Sequence, residues 1–137
     1  MNNRTEVLAN LGDYGSADFS VSKMPLIAGQ RGVLNQDNII MTNAVHSHVA
    51  IVRDDTNQIL SIVGKGYNPV EHRTAFRTAE NVIQLSDLDI TGITRETRCS
   101  HDGARAYSIY TLPEHRVNLG RKNDDVALTI SARNSFD

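Results

Sequence analysis

The run HVAIVRDDTNQILSIV, residues 48–63, decides the fold because it predicts a β-hairpin near the middle of the chain. Residues 48–53 and 58–63 are rich in β-branched side chains, which favour strands. Residues 54–57 between them have the composition and length of a hairpin turn. Apolar residues occur on both faces of the first strand, so we expect this hairpin to lie centrally in a sheet.

A helix is predicted directly after this hairpin, over residues 69–85. Asn68 is a good N-cap, Pro69 suits the first helical position, and Glu71 stands three residues after the cap, as in a capping box. The apolar residues that recur at helical spacing on one face are Ala75, Phe76, Ala79, Val82 and Ile83. The residues on the opposite face are Arg73, Arg77, Glu80, Asn81 and Gln84.

A second hairpin is predicted around Asp102-Gly103, a dipeptide typical of two-residue turns. A turn at this point places Arg98 opposite Tyr107, Ser100 opposite Arg105, and Glu96 opposite Ile109. These six residues then share one face of the hairpin. The residues predicted to share the other face are Arg95, Thr97, Cys99, Ala106, Ser108 and Tyr110.

The remaining segments are less regular. Residues 2–11 have modest helical character, residues 18–38 read as a loop with short extended pieces, and residues 38–42 and 126–133 are strand candidates. The fold class predicted is therefore α+β. A mainly antiparallel sheet of two hairpins plus a further strand packs against one well-capped helix, in a single domain of residues 1–137 whose residues 1–37 are expected to be the most loosely ordered.

Composition limits the classes of protein to which this chain can belong. With 137 residues, 39% hydrophobic content and no Trp, the chain predicts a thin core that self-association into a homodimer or higher homo-oligomer would complete. No apolar run approaches the roughly 18 residues of a membrane span, so no membrane partner is expected. Cys99 is the only cysteine, which indicates an intracellular, reducing compartment.

The sequence contains no recognisable catalytic or metal-binding motif. His46 and His48 point the same way on a strand, but no third metal ligand is identifiable and the HExxH pattern is absent. Cys99 reads as an inert packed thiol rather than a nucleophile. We therefore predict no catalytic residue, no bound metal and no cofactor, and a binding protein rather than an enzyme.

The basic residues point instead to an anion-binding surface. Net charge is −2, yet eleven Arg stand against three Lys, and Arg suits forked recognition of phosphates. Residues 91–122 hold six basic residues against three acids. On the second hairpin, Arg98 and Arg105 flank Tyr107, which is the combination of cations and a stacking ring used by proteins that bind single strands. The further residues predicted for such a site are Lys65, Tyr67, Arg73, Arg77, Arg116, Arg121 and Lys122.

Residues 48–70, HVAIVRDDTNQILSIVGKGYNPV, resemble a phage- and plasmid-associated family of unknown function with a stretch like VRDDTGxxLGxVGxxYxPV before a helix. DGARAY (102–107), LPE (112–114) and DDVALTISARNSFD (124–137) resemble that family's second half less specifically. The chain is also similar to the Drc-type single-stranded-DNA-binding cofactors of viral RNA polymerases in podoviruses that carry a virion RNA polymerase. This resemblance implies non-sequence-specific binding of single-stranded DNA, assistance to viral transcription, and action in the host cytoplasm. It assigns no DNA contacts to individual residues.

Two other functions remain open from the sequence. A protein-interaction module that binds a polymerase or another protein, and no nucleic acid, fits the net charge of −2. A metal-dependent nuclease that uses His46, His48 and nearby acids is the weaker alternative.

Overall fold

The structure is a computed structural model, and it describes residues 4–31, 39–118, 120 and 125–137. In this part of the chain, a short 3-10 turn at Gly15–Ala17 accompanies two helices and six strands. In chain order, the helices and strands are α1 (Arg4–Ala9), β1 (Val21–Arg31), β2 (Ile39–Arg53), β3 (Ile59–Gly64), α2 (His72–Leu85), β4 (Thr94–Cys99), β5 (Arg105–Asn118) and β6 (Asp125–Ser135).

The strands form two antiparallel sheets of three strands each, with the orders β1-β2-β3 and β4-β5-β6. The predicted α+β class is confirmed, and both predicted hairpins are present. They belong to different sheets, however, so the single sheet that we expected is replaced by two. The chain divides accordingly into two compact units, residues 1–18 with 70–135 and residues 19–69 with 136–137.

In the second unit, β2 is the central strand, as its two apolar faces predicted. Ile51 is fully buried, and Phe19 packs against Phe136 with ring centroids 6.2 Å apart. The Arg53 guanidinium lies 3.9 Å from the centroid of the Phe19 ring, which is a cation–π arrangement. The hairpin that carries the family resemblance therefore forms the middle and one edge of this sheet.

In the first unit, α2 packs against one face of the β4-β5-β6 sheet. Tyr110 and Leu112 of β5 are fully buried, and Ile83 of α2 joins the same apolar cluster. Arg4 of α1 donates hydrogen bonds to the backbone oxygens of Ile83, Gln84 and Leu88, at 2.7, 3.0 and 2.7 Å. The Arg4 charge therefore lies at the C-terminal end of α2, where it interacts favourably with the helix dipole.

One strand lies where we predicted a loop. Residues 18–38 were expected to be irregular, yet β1 covers Val21–Arg31 and pairs along β2. Pro25 is tolerated because β1 is an edge strand and its register with β2 shifts between Pro25 and Leu26. Tertiary pairing with a strongly β-forming neighbour has therefore overridden weak local propensity.

The helix starts later than its sequence signals predicted. Glu71 is the N-cap, without a side-chain capping bond, and the first helical bond runs from the Ala75 N–H to the Glu71 oxygen at 3.1 Å. The predicted cap at Asn68 is wrong because the backbone is still extended at Glu71, with φ −66° and ψ 149°, and the Glu71 carboxylate accepts from Arg73 at 3.1 Å. The predicted end at Leu85 is confirmed.

Two residues of α2 lie on a different side of the helix from the one predicted. Val82 was assigned to the core but is 65% exposed. Glu80 was assigned to solvent but accepts hydrogen bonds from two tyrosines and an arginine. Among the described helices, none is long and apolar enough to cross a membrane.

Candidate nucleic-acid interface

The register of β4 on β5 agrees with the prediction from the Asp102-Gly103 turn. Arg98 pairs with Tyr107 and Glu96 with Ile109, and the Ser100 N–H donates to the Arg105 oxygen at 2.8 Å. Burial alternates along β5, where Ala106, Ser108, Tyr110 and Leu112 are buried and the residues between them are not. The sheet therefore has one face under α2 and one exposed face.

The exposed face carries four of the eight described arginines of this unit, and we call it the arginine face. Its basic residues and its one tyrosine are Arg98, Arg105, Tyr107, Arg116 and Arg133. Arg116 belongs to it because this residue pairs with Ala127, which alternates with the exposed Thr129 and Ser131 of β6.

The centre of the arginine face is a row of three side chains, one from each strand. Tyr107 of β5 pairs with Arg98 of β4 on one side and with Arg133 of β6 on the other. Since neighbouring strands lie about 4.8 Å apart, the Arg98 and Arg133 side chains leave the sheet on either side of Tyr107, within reach of one nucleotide. Arg133 and Arg98 are exposed, and Tyr107 is half-buried.

Arg133 was not among the residues predicted from the sequence. The register of its strand, β6, on β5 shifts between Leu112 and Arg116, so nothing local in the sequence tells which residue of β6 pairs with Tyr107. Apolar residues alternate at positions 126, 128, 130 and 132, and this pattern places the odd-numbered positions of β6 on the opposite face. That alternation, followed to residue 133, was the signal that could have found Arg133.

Charge on the arginine face is positive after its one described ion pair is counted. Glu96 accepts from the Arg98 Nε at 2.8 Å, and this hydrogen bond and the negative charge raise the pKa of Arg98. Both side chains are well exposed, at 66% for Arg98 and 58% for Glu96, so a phosphate can compete for the guanidinium. Arg105, Arg116 and Arg133 add three further cations.

The turn that holds β4 and β5 together is fixed by buried hydrogen bonds. Gly103 has φ 93°, a conformation that favours glycine, and the fully buried His72 places its Nε2 2.7 Å from the Gly103 oxygen. Asn134 of β6 donates to the His72 Nδ1 at 3.0 Å. With Nδ1 accepting, Nε2 carries the hydrogen, so His72 links the start of α2 to the turn and to the residue after Arg133.

The Asp102 carboxylate completes this turn. It accepts from the Ala104 N–H at 2.9 Å and from the Ser100 hydroxyl at 2.9 Å, and these two bonds lower its pKa. The sequence pattern indicated the turn correctly, and the acid serves the backbone rather than any catalytic chemistry.

The structure does not bring all the predicted site residues to this face. Arg73 and Arg77 are on α2, which covers the opposite face of the sheet, and Arg73 pairs with Glu71 at 3.1 Å and Asp18 at 3.5 Å. Lys65 and Tyr67 belong to the other unit, after β3. Arg121 and Lys122 lie outside the described residues.

A second group of Arg and Tyr residues lies on the covered face, and it is structural. The Glu80 Oε2 accepts from the hydroxyls of Tyr14 at 2.9 Å and Tyr110 at 2.6 Å, and from Arg95 at 3.1 Å. Burial and the bond to Glu80 raise the pKa of Tyr14 to about 12, and the same two causes raise that of Tyr110. Arg95 also donates to the Leu11, Gly12 and Asp13 oxygens and covers the Tyr14 ring at 4.3 Å.

Within the described ranges, no group of three or more His, Cys, Asp and Glu side chains is arranged to hold a metal ion. His48 contacts the Ser47 hydroxyl at 2.7 Å, and the His115 Nδ1 accepts from the Asp89 N–H at 3.0 Å. Cys99 is half-buried against the cluster around Phe76. No protein-family model, curated protein or solved structure matches this chain.

Proposed function

We propose that this protein binds single-stranded DNA without sequence preference through the arginine face. The observation that carries the proposal is the row Arg98–Tyr107–Arg133, which sets one aromatic ring between two exposed guanidinium groups on an open sheet. A base can stack on the ring while the arginines bind the phosphates on either side of it. Because a duplex keeps its bases stacked on each other, such a row favours unpaired strands.

The proposed binding does not discriminate between DNA sequences. A stacked base presents its flat face to Tyr107, and every base has such a face, whereas discrimination needs hydrogen bonds to base edges. The arginines contact the phosphate backbone, which is the same for every sequence. The hydroxyls that also line the arginine face, those of Thr94, Thr111, Thr129 and Ser131, suit phosphate and sugar oxygens equally well.

We further propose that the protein acts in a phage-infected cell, in the host cytoplasm, as a cofactor of the viral RNA polymerase. This part rests on the resemblance of residues 48–70 and 102–137 to the phage-associated proteins described above. Its mechanism is non-enzymatic, because keeping the template strand unpaired requires binding alone. Co-precipitation of the polymerase with the tagged protein, with and without nuclease, tests this second part separately.

A titration with a fluorescent oligo-dT of about 20 nucleotides, at salt concentrations from roughly 50 to 300 mM, tests DNA binding. The logarithm of the affinity should fall linearly with the logarithm of the salt concentration, with a slope of about −0.7 for each phosphate neutralised. Replacing Arg98 and Arg133 together by Ala should reduce the magnitude of that slope by about 1.4. Salt-independent binding, or equal affinity for a duplex of the same length, would contradict the proposal.

Tyr107 gives the matched test of stacking. Tyr107→Ala should weaken binding about 5- to 150-fold, since one base–aromatic stack contributes roughly 1–3 kcal/mol. Tyr107→Phe keeps the ring and should bind nearly as the unmodified protein does. If both variants lose affinity equally, the ring does not stack on a base.

A further inference from the structure

The outer edge of β6 is unusual among the strand edges of this protein. β6 pairs with β5 along one side, and its other side has no backbone partner among the described residues. The run VALTISA, residues 126–132, contains no charge, no Pro and no Gly over seven consecutive positions. Unpaired N–H and C=O groups on an uncharged edge form a ready template for another strand.

The other described edges are protected or less regular. β4, at the opposite edge of the same sheet, carries the exposed charges Glu96 and Arg98. β1 contains Lys23 and Pro25. β3 has only six residues, and its register with β2 shifts between Ile51 and Val52. Charges, Pro and irregularity are the usual means by which proteins prevent an edge from pairing. β6 has neither a charge nor a Pro between residues 126 and 132, although it is 11 residues long, and its register shift opposite Ala127 and Leu128 is on the side that pairs with β5.

We propose that β6 is the interface between two copies of this chain, which pair antiparallel through residues 126–132. The run is centred on Thr129, so self-pairing places this residue opposite Thr129 of the second copy. Leu128 then lies opposite the second copy's Ile130, and Val126 opposite its Ala132. The four apolar residues of the face covered by α2 thus meet apolar residues, and the exposed Thr129 pair can form a cross-strand hydrogen bond.

The register follows from the sequence on either side of the run. Moving the centre by two residues towards the C-terminus places Leu128 opposite Asn134 and Thr129 opposite Arg133. The register centred on Thr129 therefore keeps the charged residue out of the paired run. It also covers Val126, which is 42% exposed in the single chain. The second copy, rather than an unrelated partner, is favoured because one sequence supplies both sides of this match.

The pairing joins two three-stranded sheets into one of six strands with a two-fold axis perpendicular to it. The arginine faces of both copies then lie on the same side, because strands that pair directly keep their faces aligned. The charged β4 strands lie at the two outer edges, so the assembly closes at two copies. The interface concerns the protein alone and does not depend on the proposed DNA binding.

The mass of the full chain in solution, without DNA, tests the proposal by light scattering or sedimentation between about 1 and 100 µM. We expect a mass that rises with concentration towards twice 15.1 kDa. Thr129→Lys places two like charges directly opposite each other at the two-fold axis and should weaken the dimer up to about fivefold. Thr129→Glu should do the same, and a mixture of the two variants should restore the dimer.

Thr94→Lys is the matched control. Thr94 is exposed and belongs to the same row, Thr94–Thr111–Thr129, but it lies on the β4 edge. This variant should dimerise as the unmodified chain does, and circular dichroism should show that all the variants are folded. If Thr129→Lys does not fold, Ser131→Lys, opposite the second copy's Ala127, takes its place. A chain that stays monomeric throughout, a dimer insensitive to Thr129→Lys, or equal loss with Thr94→Lys would overturn the proposal.

Discussion

The two faces of the β4-β5-β6 sheet carry the same residue types and use them in opposite ways. On the covered face, Arg95 and Tyr110 converge on one oxygen of Glu80, at 3.1 and 2.6 Å. On the arginine face, Arg98 and Tyr107 are neighbours in one row, and 66% of the Arg98 side chain is exposed. Three positions separate the two arginines in sequence, and three separate the two tyrosines. Residues an odd number of positions apart in a strand point to opposite faces of the sheet. The face therefore decides whether an Arg or Tyr side chain is packed inside or exposed to solvent.

This contrast shows that neither an arginine nor a tyrosine indicates a binding site by its type. Arg95 is committed to a carboxylate and to three backbone oxygens, and its side chain is only 3% exposed. Its charge is therefore not accessible to a phosphate. The arginine face is a candidate site because its charges are open to solvent and lie beside a ring, and both conditions depend on the strand register.

The largest difference between the two faces should be in how much the free energy of unfolding falls when an arginine is removed. Arg95→Ala leaves the Glu80 carboxylate, 13% exposed, without its cation, and we expect a loss of about 3–5 kcal/mol in the free energy of unfolding. Arg98→Ala removes a well-exposed pair with Glu96 and should leave the free energy of unfolding nearly unchanged. Urea unfolding followed by circular dichroism measures both.

The outcome bears directly on the comparison. If Arg98→Ala destabilises the chain as much as Arg95→Ala, the arginines of the exposed face are structural too, and their case as DNA ligands weakens. If Arg95→Ala costs less than about 1 kcal/mol, the Glu80 cluster is not the buried network that its hydrogen bonds indicate.

Much of the arginine face could be predicted from the sequence because its register is set locally. The Asp102-Gly103 turn joins two strands that follow each other directly, so one dipeptide fixes which residues of β4 and β5 are opposite. β6 has no such anchor. Its register with β5 shifts between Leu112 and Arg116, which no turn signal in the sequence indicates, and Arg133 was missed for that reason.

The errors on α2 have a different origin. Helical periodicity identifies a face, but it does not tell which polar residue at its border turns inward. Glu80 does so because Tyr14 and Tyr110 supply hydroxyls, and these come from segments 66 and 30 residues away. The β1 strand was missed for a similar reason, since its stability comes from β2 and not from its own Pro- and Gly-containing sequence.

A further effect on the free energy of unfolding should appear at alkaline pH. The pKa of Tyr14 is raised from 10.0 to about 12, and that of Tyr110 is raised as well, so the folded state keeps protons that the unfolded state releases above pH 10. Stability should therefore fall as pH rises from about 10 to 12, with each tyrosine contributing up to about 1.4 kcal/mol per pH unit. Urea unfolding at intervals of half a pH unit follows this slope.

Tyr14→Phe supplies the comparison for that slope. The variant should be less stable near pH 8, because it lacks the hydroxyl that donates to Glu80, and its stability should fall less steeply above pH 10 than that of the unmodified protein. Identical slopes for the two proteins would show that Tyr14 does not keep its proton as a member of the Glu80 cluster.

The smallest expected effect tests whether the position of an arginine matters for DNA, apart from its charge. Arg77 and Arg133 are both exposed, but Arg77 is on the helix that covers the opposite face of the sheet. Arg77→Ala should change the affinity for oligo-dT less than about twofold at 0.15 M salt, because the Debye length of about 8 Å screens a charge that touches no phosphate. Arg133→Ala removes the same charge from the central row and should also reduce the magnitude of the salt slope by about 0.7. Both titrations use the same oligonucleotide and salt series. Equal losses from the two variants would mean that the net charge of the unit attracts DNA, and that the arginine face has no special part in binding it.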